Sequence, residues 1–208
     1  YLREQYNSEI GLIREAPVTA PNRYWLTNDN ALAAYAFAQL GDEDYSQKLL
    51  ESIHKYGNDA NGMIEVIWGK TIFFPPNAAN PALIQQIGPA EIWQETHTNT
   101  MRFNDWKEYA NLGFIGALNS ENNGEHKDAL KRYAEALHMF DQTGFKDKAY
   151  HEFYETYKLA LALYAGSKIN APDPQGARIL EILLSLQNEN GGFFSDYSGV
   201  NSPAGDTN

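Results

Sequence analysis

The chain has 208 residues, a net charge of −11, 43% hydrophobic and 13% aromatic residues, and no cysteine. Its acidity leaves no basic stripe to displace counterions from phosphates, which excludes nucleic acid and anionic membrane surfaces as partners. The missing cysteine excludes disulfides, thiol nucleophiles and cysteine-ligated zinc. With no run of about eighteen apolar residues, no membrane-spanning helix is expected.

The chain opens at Tyr1, which reads as the mark of a removed N-terminal segment. Together with an acidic surface rich in Asn and Tyr, this predicts an extracytoplasmic or secreted protein that meets a neutral polar ligand. Residues 1–30 form an opening segment, extended over Glu9–Glu15, with Pro17 and Pro21 bounding a loop. Thr27-Asn28-Asp29-Asn30 offers N-caps to a helix at Ala31–Leu40, which is apolar on every face and so expects to be enclosed. A one-sided helix follows at Tyr45–Tyr56, and the two make a first hairpin over residues 31–68.

Residues 69–101 read as an insertion punctuated by Pro75, Pro76, Pro81 and Pro89, with enough aromatics to be ordered. The alternation then resumes. A second hairpin over 102–146 pairs an inner helix at Ala110–Leu118 with an outer one at Lys127–Phe140, burying Leu130, Tyr133, Ala134 and Leu137. A third over 147–194 pairs Leu159–Ala165 with Gly176–Leu186. Residues 195–208 then lead toward a fourth hairpin beyond the sequence, since Asp206-Thr207-Asn208 echoes Thr27-Asn28-Asp29-Asn30. The expected fold is therefore all-α: one domain of α/α hairpins with short extended segments between them, forming a solenoid or partial α/α toroid. It is expected to be incomplete at its C-terminal end, to be covered there by a second polypeptide or by self-association.

A glycine followed by an apolar clamp punctuates this pattern, in Gly11-Leu12, Gly62-Met63, Gly144-Phe145 and Gly192-Phe193. The spacings are 51, 82 and 48 residues, a period near fifty with the insertion in the middle unit. The fullest copy, Gln187-x-x-Asn190-Gly191-x-Phe193, resembles the Q-x-x-D-G-x-W repeat of the terpenoid cyclase and protein prenyltransferase toroids. The resemblance implies an α/α-toroid scaffold with a ligand cavity at one end of its inner helices. It does not imply those activities: the acidic cyclase motif and the diphosphate-binding aspartate cluster are absent, and there is no cysteine for zinc or a thioester. Polysaccharide-active and purely binding toroids are what remain, with an isoprenoid-binding toroid less favoured.

Candidate chemistry is accordingly sought just ahead of the inner helices. Asp29, Asp105 and Glu155 are candidate acid and base residues for glycosidic cleavage, with the same residue types equally suited to capping helices. His97, in the polar run Glu95-Thr96-His97-Thr98-Asn99, is a candidate base. Trp25, Trp93, Trp106, Tyr154 and Asn28 are candidate ligand-binding residues, the aromatics by stacking on sugar rings. Arg14, Arg23 and Arg102 could meet a uronate carboxylate. Asp196, Asn201 and Asp206 supply oxygen atoms but fit no EF-hand spacing, so neither a metal nor a cofactor is expected. The chain is thus expected to be a carbohydrate-active (glycoside hydrolase or polysaccharide lyase) or carbohydrate-binding protein. The competing expectation is a non-catalytic assembly domain.

Overall fold

A computed structural model describes residues 1–57, 62–96 and 101–207. It corrects the expected fold class. The chain is mixed α/β, 44% helical and 21% strand, with three β-sheets. The longest strands come from the two stretches read as insertion and lead-in, where polar residues and proline obscured the alternation, and shorter ones lie in the opening segment and just ahead of the third inner helix.

The chain divides into two compact units, Tyr1–Trp68 with Asn77–Arg102, and Gly69–Pro76 with Phe103–Thr207. In the first unit, β1 (Tyr6–Asn7) and β2 (Leu12–Ile13) form a small antiparallel pair. β3 (Tyr24–Leu26) runs directly into α1 (Thr27–Gln39), which is followed by α2 (Glu43–Lys55). β4 (Asn80–Ile87) and β5 (Ala90–Thr96) form a hairpin closed by Gly88-Pro89, and β5 lies parallel to β3 in the order β3-β5-β4. Leu12, Ile13, Trp25, Ala31, Phe37, Leu49, Ile53 and Ile92 make one core. Asn30 stitches it: its Oδ1 accepts from Ile13 N (2.6 Å) and its Nδ2 donates to Ile13 O (3.1 Å) and Leu26 O (3.0 Å). A buried amide with its donors and acceptor used costs little and fixes β2 on α1.

In the second unit, α3 (Ala110–Asn122) pairs with α4 (His126–Leu137), and α5 (Thr156–Lys168) with α6 (Gly176–Ser185). α3 and α5 also pack on each other. The apolar-all-round helix α3 buries ten consecutive or near-consecutive residues, whereas α4 and α6 bury one face each. On α4 the buried face is Ala129, Tyr133 and Ala136, turned from the expected Leu130, Ala134 and Leu137. The reason is close approach. A Cβ on Gly113 would stand 2.7 Å from the Ala136 Cβ, so the helices meet on their smallest residues. β6 (Tyr154–Glu155) pairs with β7 (Phe194–Gly199), which pairs with β8 (Ser202–Thr207).

Three of the four glycine clamps close an Asx loop, whereas Gly62-Met63 opens a 3-10 helix. Asn7, Asp141 and Asn188 each accept two backbone N–H groups with a side-chain oxygen at 2.9–3.2 Å: Glu9 and Ile10, Thr143 and Gly144, Asn190 and Gly192. The clamp then pairs back across the loop, Asn7 with Leu12, Phe140 with Phe145, Gln187 with Phe193.

Candidate functional site

Three inner helices start in one way. Leu26, Tyr109 and Glu155 hold the N-cap position in extended conformation (ψ 119°, 120° and 118°), and none provides a side-chain cap. Thr27-Asn28-Asp29-Asn30 is therefore the first turn of α1, not its lead-in. The third helical residue is Asp29 in α1 and Lys158 in α5, and both reach an acidic side chain from the segment after the preceding Asx loop. That partner is Glu15, three residues after Leu12, or Asp147, two residues after Phe145.

At α5 the charges cancel. Lys158 Nζ donates to Asp147 Oδ1 (2.9 Å) and Oδ2 (2.7 Å), with side-chain exposures of 2% and 0%. Glu155 also contacts Lys158 Nζ. Asp147 accepts from Ala110 N (2.8 Å) and Ala149 N (3.0 Å), so it caps α3 from outside the helix. Every lone pair is used.

At α1 the two side chains are both acidic. The Glu15 carboxyl hydrogen-bonds to the Asp29 carboxyl. Burial, then the charge of Asp29 and the hydrogen bond to it, push the Glu15 pKa up to about 9. Burial also raises Asp29, while the hydrogen bond from Glu15 opposes that rise. Asp29 nonetheless keeps an edge open to solvent, although protein crowds it. Beside it Asn28 is fully buried; its Oδ1 accepts from Glu95 N (2.7 Å) and its Nδ2 has no hydrogen-bond partner. A buried unpaired amide donor is costly.

The other expected site residues scatter. Trp25 is core, 1% exposed. Trp93, half-buried on β5, donates from Nε1 to Glu91 Oε2 (3.2 Å), and Glu91 also holds Arg23. Asp105 is ion-paired with Lys148 (2.5 Å), whose hydrogen bond draws its carboxyl below the ordinary range. Trp106 packs edge-on against Phe74 with Arg132 over both rings. Tyr154 is buried, stacked on Tyr197 and bonded through its hydroxyl to Asp141 Oδ2 (2.7 Å). Its neighbours Phe153, in the bend before β6, and Tyr157, in the first turn of α5, are 45% and 48% exposed. His97 lies outside the described residues. Asp196, Asn201 and Asp206 lie along the β7–β8 hairpin, and among the described residues no group of three or more candidate ligands could hold a metal.

Of the residues at the start of α1, Asn28 and Asp29 were expected site residues and Glu15 was not. Its one signal was position: an acid shortly after a clamp, as at Asp147.

Comparisons with family models, with curated proteins and with solved structures gave no match. They neither support nor refute the toroid resemblance drawn from the Gln187–Phe193 loop and the alternation of helices. No helix among the described residues is long and apolar enough to cross a membrane.

Proposed function

We propose that the protein binds a neutral, hydroxyl-bearing ligand of the carbohydrate class at the first turn of α1, through Asp29, Glu15 and Asn28, and that it works outside the cytoplasm. The observation that carries this reading is the like-charged pair Glu15–Asp29 standing where α5 has a neutralised Lys158–Asp147 pair. Two acids forced together cost stability, and such costs concentrate at functional sites. Two carboxyl groups, one of them on the exposed Asp29, offer oxygen atoms to which sugar hydroxyls can donate. Binding is favoured over cleavage, because glycoside hydrolysis uses carboxyls about 5–10 Å apart and this pair touches.

The test is a titration of isotope-labelled protein with neutral oligosaccharides, following backbone amide shifts. The reading expects perturbations centred on Asn28, Asp29 and Glu15, and binding weakened about tenfold or more by Asp29→Asn, as loss of a hydrogen bond to a charged group should do. Perturbations elsewhere, or none, overturn it.

A second reading, an assembly domain, is favoured by α6. Leu180 and Leu184, one turn apart, are 45% and 56% exposed on an outer helix. Light scattering tests it: Leu184→Glu should dissociate a complex if that face is its contact.

A further inference from the structure

We propose that the outer face of the β3-β5-β4 sheet is a stacking platform for a sugar ring, with Trp93 at its centre, beside the first turn of α1. The proposal deepens the binding reading of the α1 site and rests on it for the class of ligand. It makes that ligand a neutral oligosaccharide, met by Asp29 at its hydroxyls and by Trp93 at a ring face.

The strand register builds the platform. Leu26, Trp93 and Leu83 are direct partners across β3, β5 and β4, so they stand in one row on one face of the sheet. The adjacent pair, Trp25 and Ile92, points the other way and lies in the core with Ala31 and Ala34 of α1. The Trp93 row therefore faces away from that core. Leu83 is 47% exposed, and Leu26 and Trp93 are half-buried.

The indole is held in place. Its Nε1 donates to Glu91 Oε2 (3.2 Å), and Glu91 Oε1 accepts from Arg23 Nε (3.2 Å). The Arg23 guanidinium in turn lies over the Tyr24 ring, 5.0 Å from its centre. With its one polar atom spent inside the protein, what Trp93 offers a ligand is the apolar face of its ring. A side chain already fixed in this way loses little freedom on binding.

The size of the row selects its occupant. Strands about 4.8 Å apart make it about 10 Å long, and polar residues border it: Glu91 and Gln86 on one side, Glu95 on the other. A stable protein contact buries about 800 Å² on each partner around an apolar centre, far more than this row provides. A narrow apolar strip between carboxyl and amide groups fits a ring with a C–H face and a rim of hydroxyls. The strip also leads to the α1 site. Leu26 is the N-cap residue of α1, and Glu95 N donates to Asn28 Oδ1 (2.7 Å), so β5 runs beside the turn that carries Asp29.

The test is a titration of the whole isotope-labelled chain with cello-, xylo- and manno-oligosaccharides, following indole and backbone N–H signals. The Trp93 indole and the Leu83 amide should shift saturably together with Asp29. Trp93→Ala should weaken binding about tenfold, and Trp93→Phe, which keeps a ring and most of the packing, should restore most of it. Leu83→Glu changes an exposed position on an edge strand and should also weaken binding, which keeps the test decisive if Trp93→Ala does not fold. Sugar binding that shifts Asp29 and is unaffected by the Trp93 and Leu83 substitutions overturns the platform and leaves the α1 reading standing. Shifts confined to Trp93 and Leu83 sink the α1 reading and keep the platform. Binding of none of the sugars overturns both. Trp93 and Leu83 signals that move with protein concentration alone assign the face to a second copy of the chain and overturn the proposal.

Discussion

Two helix starts in this molecule share a plan and differ in charge. α1 and α5 each follow a short strand, begin from an uncapped extended residue, and place their third residue against an acid delivered by an Asx loop. At α5 that residue is Lys158, and the pair is a buried, fully bonded salt bridge that also caps α3. At α1 it is Asp29, a residue of the same charge as its partner Glu15, whose pKa is pushed up by burial and by Asp29. One position is built for order, and its counterpart carries unspent chemistry. The difference is what singles out α1, more than any motif.

The largest effect should come from breaking the balanced member. Lys158→Met leaves Asp147 charged and buried, and should cost about 3–5 kcal/mol, read as a lowered denaturant midpoint. Asp29→Asn, the corresponding loss at α1, should cost less than about 1 kcal/mol, because it removes a repulsion along with a hydrogen bond. Comparable losses at the two sites would erase the contrast. Asp29→Lys would convert α1 to the pattern of α5: Glu15 should then ionise in the ordinary range, and the oligosaccharide-induced shifts should vanish. The smallest effect concerns the shared scaffold. Asn188→Ala removes two hydrogen bonds from an exposed loop and should cost about 1 kcal/mol by thermal unfolding, with the α1 titration unchanged.

The helical hairpins were readable because hydrophobic periodicity is a strong signal. Ala110–Leu118 is apolar on every face and α2 on one, and both helices stand close to where their pattern puts them. The glycine clamps were readable too, although the asparagine or aspartate that holds each loop was not. The sheets were hidden for physical reasons. β4 opens with Asn80-Pro81 and carries a bulge between Leu83 and Gln85, which breaks its alternation. β7 and β8 form a hairpin of polar residues with register shifts, and β7 pairs on its other side with β6, about forty residues earlier in the chain. At the site, Thr27–Asn30 looked like caps because polar residues before an apolar run usually are. Tyr154 and Trp25 looked like ligand platforms because a sequence does not say which way a strand residue faces. Glu15 was invisible for a deeper reason: a carboxyl becomes unusual only through the tertiary contact that brings Asp29 to it.

The pair also fixes a pH dependence. Below the ordinary glutamate range, near 4.5, Glu15 is protonated folded or unfolded. Between there and about 9 the unfolded chain gives up a proton that the folded chain keeps, so folding binds a proton and stability falls as pH rises. The slope is at most about 1.4 kcal/mol per pH unit for one proton. The measurement that tests this most directly is the thermal midpoint across that window for the wild-type chain and for Glu15→Gln, whose amide donates to Asp29 at every pH. The raised Glu15 pKa predicts that the variant gains on the wild type steadily as pH rises, with the gap levelling off above about 9. Parallel curves, with a constant gap from acid to alkaline pH, would contradict it.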